Sequence, residues 1–126
     1  MPRSQDNNEG KIIGFDLDGV IIDHTQNKIR LAKARGFDLN AVQVQGDVFK
    51  KYIKEEIRRD IQKFLYEDLE ISLSPLLMIG ALEGLSKIRE SGIPYFLISR
   101  RKKFGNAIKL LNIRGLWPDF FHNENT

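Results

Sequence analysis

The feature that most constrains this chain is an apolar run that ends on acids. Lys11 to Phe15 reads KIIGF and passes directly into Asp16, Leu17, Asp18 and Gly19. A short apolar run that follows polar sequence is how a buried parallel strand opens an α/β domain. A second run, Ile93 to Ile98, ends at Ser99. The carboxyl ends of parallel strands share one edge of an open sheet, and ligands bind along that edge. Asp16 and Ser99 are therefore predicted to face one cleft, although most of the chain separates them. Asp18, two residues past the strand end, can turn back toward the same cleft, and Gly19 permits the tight backbone path this needs.

Helical periodicity fills the space between the two strands. Residues 25 to 36 predict a helix capped by Thr25 and closed by Gly36. The stretch from 47 to 67 predicts one long helix, with Phe49, Ile53, Ile57, Ile61, Phe64 and Leu65 recurring at steps of three or four. Residues 79 to 91 carry Leu82, Leu85 and Ile88 on one face before Gly92, and a further helix is expected over 103 to 111. Phe120 and Phe121 read as the start of another strand. Strand, helices and strand in this order imply a parallel sheet with crossover connections. The expected fold class is α/β, a Rossmann-like parallel sheet with a small helical insertion after the first strand.

Composition narrows the class of function. Twenty Lys and Arg against 17 Asp and Glu in 126 residues give a net charge of +3, too little for the dense basic face of a nucleic-acid binder. Arg100 to Lys103 (RRKK) reads as a solvated helix start. Without a cysteine, disulfides, thiol nucleophiles and thiolate metal sites are excluded, which fits a cytoplasmic protein. No apolar run reaches the roughly 20 residues of a membrane span, and residues 1 to 10 read as a disordered polar tail rather than a secretion signal. His24 and His122 are too isolated to argue for a metal site. A sheet of few strands leaves an exposed edge, so self-association is expected.

Two carboxylates this close can divide labour: one stays ionised while like-charge repulsion keeps the proton on its neighbour. Asp16 can attack an electrophilic phosphorus while Asp18 protonates the leaving group and later activates water. Mg²⁺, a hard cation preferring oxygen ligands, would offset repulsion between Asp16 and a phosphate dianion. Ser99 and the backbone amide after it, at Arg100, can hold phosphate oxygens, with Gly19 lining the turn.

GFDLDGVIID resembles the first motif of the haloacid dehalogenase-like (HAD) hydrolase superfamily, in which an apolar strand runs into Asp-x-Asp-Gly. SPLLMIGALEGLSKIRESGIPYFLIS and LLNIRGLWPDFF resemble the segments around that family's second motif, so the likeness covers about residues 11 to 121. The resemblance implies a phosphatase acting on a small phosphorylated metabolite through an aspartyl phosphate. Asp16 would be nucleophile and Mg²⁺ ligand, Asp18 general acid/base and ligand through its backbone carbonyl, and Ser99 a phosphate holder. Residues 11–24 and 75–126 would form the core and residues 25–74 a helical cap, whose Lys50, Lys51, Lys54, Arg58 and Arg59 would offer cations to substrate. The family's acid at the position of Asp18 favours phosphoryl transfer over carbon–halogen cleavage. The family's third-motif Lys and fourth-motif acids would follow HNENT, so the resemblance implies a core lacking its C-terminal part. The alternative is a non-catalytic binding module that keeps the cleft.

Overall fold

The computed structural model describes residues 10–126; the expected tail over residues 1–9 lies outside the described residues. The elements in order are β1 (Ile13–Asp16), β2 (Ile22–Asp23), α1 (Thr25–Ala34), α2 (Gly46–Tyr52), α3 (Glu55–Glu67), α4 (Leu69–Ser72), β3 (Leu76–Leu77), α5 (Ala81–Ser91), β4 (Tyr95–Ile98) and α6 (Gly105–Ile113), followed by a 3-10 turn at Asn123–Asn125.

The two apolar runs pair as predicted. β1 and β4 are parallel neighbours, with Ile13 opposite Tyr95 and Asp16 opposite Ile98. The ladder continues one residue beyond each strand end, because the Leu17 amide donates to the Ile98 carbonyl at 3.1 Å. One face of this pair sits on a core of Leu17, Leu85, Leu97, Ala107, Leu110, Leu111, Leu116, Phe120 and Phe121. Phe15, Tyr95 and Phe121 meet edge to face there, at 5.8–6.4 Å between ring centroids, a favourable geometry for aromatic quadrupoles. The other face stays open: Ile12, Phe96 and Ile98 are exposed. Gly14 lies on that face because a Cβ there would sit 2.7 Å from Ile98 Cδ1.

A second, separate core gathers Leu31, Ala32, Val44, Phe49, Ile53, Ile61 and Leu65. The chain reaches this region and returns from it through a short antiparallel pair, β2 with β3, in which Ile22 faces Leu77 and Asp23 faces Leu76. Buried Asn27 braces the return: its Nδ2 donates to the Ile71 carbonyl and, at 2.9 Å, to Ser74 Oγ. Arg114, just past the end of α6, donates to the carbonyls of Ser74 and Pro75.

Three expectations need correction. The helix expected over 47–67 is two helices, broken where Ile53 and Lys54 are extended. The break lets Phe49 of α2 and Ile61 and Leu65 of α3 reach the same core as buried Ile53. The Ile53 carbonyl, left without a helical partner, accepts from Arg58 Nη1 at 2.8 Å, and Glu55 and Glu56 suit the new helix start. Phe120 and Phe121 do not begin a strand. They anchor the first core from a turn, the Phe121 amide bonding the Leu116 carbonyl at 2.9 Å. Thr25 is not the cap of α1 but its first residue; Asp23 Oδ1 accepts from the Thr25 amide at 2.9 Å instead. The helix ends behave as read: Gly36 and Gly92 both take the left-handed conformation just past α1 and α5.

Candidate active site

Register alone brings Asp16 and Ser99 together. Asp16 is the last residue of β1, and Ser99 follows Ile98, its partner in β4. The backbone then turns sharply beyond β1. Gly19 adopts φ +85° with open space where a Cβ would be, its amide donates to the Ile22 carbonyl at 2.9 Å, and the Ile21 and Ile22 amides both return to the Leu17 carbonyl. The turn keeps Asp18 at the same rim. Ser99 Oγ accepts from the Arg101 amide at 3.1 Å, which leaves its hydroxyl proton available to an incoming oxygen. Asp16 is exposed, Ser99 and Asp18 are half-buried, and Gly19 and Arg100 are exposed.

Asp18 is the most heavily engaged acid of the group. Arg101 grips it with a two-pronged contact, Nε to Oδ2 at 3.1 Å and Nη2 to Oδ1 at 2.5 Å. His24 Nε2 lies 2.7 Å from Oδ1. Burial by itself would raise the Asp18 pKa, but the hydrogen bonds to His24 and Arg101 and the Arg101 charge outweigh it and bring the carboxyl down to about 2. Asp18 is therefore ionised at neutral pH, opposite to the proton-retaining state that repulsion from Asp16 predicts. The hydrogen bonds to His24 and Arg101, with the Arg101 charge, hold it in that state.

Tyr66 of α3 closes this group from above. The Arg101 guanidinium lies 4.1 Å from the Tyr66 ring centroid, a stacked cation–π contact, and the His24 ring is 5.9 Å from the same ring. Burial, then the negative charge of Asp18, pushes the Tyr66 hydroxyl well above its ordinary pKa, with Asp16 adding to the rise. Burial lowers the pKa of Lys28, partly offset by the charges of Asp18 and Asp23. Asp23 is itself held below the usual carboxylate range, first by its bond to Thr25.

Two cavities flank Tyr66. One, about 430 Å³, is lined by Asp18, Gly19, His24, Lys28, Lys50 and Arg58 among others. The other, about 420 Å³, has Arg100 and Arg101 on its wall. Of the cap cations expected to meet substrate, Lys50 and Arg58 line the first cavity and Arg59 the second; Lys51 and Lys54 line neither. Sequence reasoning passed over His24, Tyr66 and Arg101. Arg101 was legible only as one charge in RRKK, and its distance of two residues from Ser99 was the available signal.

For a metal, the donors near the strand ends are oxygens, which suit Mg²⁺. They are few. The Asp18 carboxylate is taken by Arg101 and His24, and no cluster of three or more His, Asp or Glu side chains able to hold an ion occurs among the described residues. The remaining set, the Asp16 carboxylate with the Asp18 backbone carbonyl, is a sparse one for Mg²⁺, which would have to keep most of its waters and share a substrate phosphate.

No family model and no curated protein matches this sequence. Among solved structures it is similar to a HAD family hydrolase from Deinococcus radiodurans R1, whose crystal structure holds phosphate and sodium. Identity is 19% and the TM-score 0.50, with 84% of this chain and 53% of that one covered. It is also similar to a hydrolase from Streptococcus pneumoniae TIGR4, at 18% identity and TM-score 0.47, with 80% and 58% covered. The chain thus spans about half the length of these neighbours. No helix among the described residues is long and apolar enough to cross a membrane. The parallel β1–β4 pair, the acid-bearing turn after β1 and the Deinococcus neighbour agree on one conclusion: this chain has the HAD-like α/β fold.

Proposed function

We propose that the chain carries the phosphoryl-accepting half of a phosphatase site, acting on a small phosphorylated metabolite with Asp16 as nucleophile. The observation behind this reading is the β1–β4 register, which sets Asp16 beside the Ile98–Ser99 strand end. An Asp16 oxygen attacks phosphorus, the ester P–O bond breaks, and the leaving alkoxide takes a proton; water then attacks the acyl phosphate and frees orthophosphate and Asp16. Ser99, Gly19 and the Arg100 amide hold the phosphate oxygens. Mg²⁺, when bound at Asp16 and the Asp18 carbonyl, would neutralise charge on the phosphoryl group. Ionised Asp18 would act as base toward water in the second half-reaction once its carboxylate is released from Arg101. Acting as acid in the first requires it to leave Arg101 and take up a proton. Residues 25–74, with their own core, would be the cap that excludes water from the cleft.

The grip of Arg101 on Asp18 favours a second reading, a binding module that holds phosphate without turnover. Release of nitrophenol from p-nitrophenyl phosphate in the presence of Mg²⁺ separates the two. Metal-dependent turnover that disappears in Asp16→Asn supports the phosphatase; a folded chain that binds orthophosphate but releases no nitrophenol supports the module.

A further inference from the structure

The cavity on the far side of Tyr66 borders the β4 end, through Arg100 and Arg101, but is not lined by Asp16, Asp18 or Ser99. One wall is α3, presenting Arg59 and Lys63, which one helical turn sets side by side. The facing wall is the loop after β4, with Arg101, Lys102 and Lys103, and the Tyr66 ring forms part of the lining. Both walls are fixed to each other: Asn106 Nδ2 at the start of α6 donates to the Tyr66 and Glu67 carbonyls at the end of α3.

The charges do not cancel. Arg59 pairs with Glu55, Lys103 lies 3.6 Å from Glu67, and Arg101 is held by Asp18. Lys63, Lys102 and Arg100 have no carboxylate within 4 Å among the described residues. Arg101 anchors the loop wall: its side chain is 1% exposed, paired with Asp18 and stacked on Tyr66.

We propose that this cavity is a binding site for a small molecule carrying a chain of two or more phosphate groups. Three uncompensated cations on two facing walls exceed what a single phosphate dianion neutralises, whereas a di- or triphosphate spans both walls. The volume of about 420 Å³ lies within the range of small-molecule sites. A nucleic-acid strand is disfavoured, because the aromatic face is already covered by the Arg101 guanidinium and cannot stack a base. The site shares Arg100 and Arg101 with the strand-end rim but uses neither Asp16 nor Ser99, so its cation walls can be tested apart from the phosphatase reading.

Isothermal titration calorimetry of the full chain with sodium tripolyphosphate tests this, with orthophosphate and a single-stranded oligonucleotide as comparison ligands and circular dichroism to confirm folding of each variant. The expected result is one tripolyphosphate per chain, bound at least tenfold more tightly than orthophosphate. Lys63→Gln on one wall and Lys102→Ser on the other should each weaken it about fivefold or more, and Asp16→Asn should leave it unchanged. The proposal is overturned by binding that is insensitive to both wall substitutions, by several weak sites per chain, by loss in Asp16→Asn, or by tighter binding of the oligonucleotide. Loss of nitrophenol release in Asp16→Asn reports on the phosphatase reading alone.

Discussion

Replacing Asp18 by Asn tests the electrostatic account of the site in isolation from any chemistry. The substitution keeps the shape of the side chain and removes the charge that two groups face. Arg101, its side chain 1% exposed, would then hold a guanidinium without a counter-charge. Removing one partner of a buried ion pair costs roughly 3–5 kcal/mol, because the other charge stays desolvated. The depressed Asp18 pKa gives a separate measure. A drop from 3.8 to about 2 corresponds to roughly 2 kcal/mol of stability at neutral pH. Together they bracket a loss of about 2–5 kcal/mol, a large share of the ~5–15 kcal/mol that a domain has. In urea melts, with a slope of about 2 kcal/mol per molar, the midpoint should fall by roughly 1–2.5 M. The folded pKa is lowered, so this stability is fully present above pH 3.8 and is lost as pH falls through 3.8 toward 2. Asp18→Asn should remove that part of the acid limb. Adding Arg101→Met should recover part of the loss, since the stranded charge goes with it. A midpoint shift smaller than about 0.5 M, or strictly additive substitutions, would refute the reasoning.

Other outcomes follow from the fold. Gly92 takes φ +77° at the end of α5, so Gly92→Ala should cost about 1 kcal/mol in a thermal or urea melt; a neutral result would show that the turn relaxes. Leu110→Ala, at a fully buried position of the first core, should cost about 2–5 kcal/mol, with little change in tripolyphosphate binding under conditions where the variant is folded. The open face of Ile12, Phe96 and Ile98 and the unpaired edges of a two-stranded sheet favour association. Light scattering should show mass rising with concentration, and Phe96→Lys should reduce it; a concentration-independent monomer would contradict this.

How much of the molecule was legible beforehand depended on the range over which each signal acts. β1 and β4 were visible because an apolar run ending on a polar group is a local pattern, and their parallel pairing follows from the helical crossover that joins them. Gly36 and Gly92 were visible because helix ends demand a left-handed residue. The break at Ile53 was not, since the same three-to-four periodicity persists on both sides and only a shared core with α1 dictates the bend. β2 and β3, two residues each, are too short to leave a period. Phe120 and Phe121 carry strand-like composition but pack from a turn into the core beneath β1 and β4. In the site, the meeting of Asp16 and Ser99 was legible from strand order. The fate of Asp18 was not: its partner Arg101 stands in a run of four cations, and only tertiary geometry singles out which of them turns inward.

The meeting of two remote strand ends around one phosphate remains the claim on which the rest depends. Amide chemical shifts of the ¹⁵N-labelled chain, titrated with orthophosphate and Mg²⁺, test it most directly. Shifts should concentrate at Asp16 to Gly19 and at Ser99 to Arg101 together, saturating with one affinity. Shifts confined to one of these segments, or scattered over the exposed lysines of α2 and α3, would contradict it.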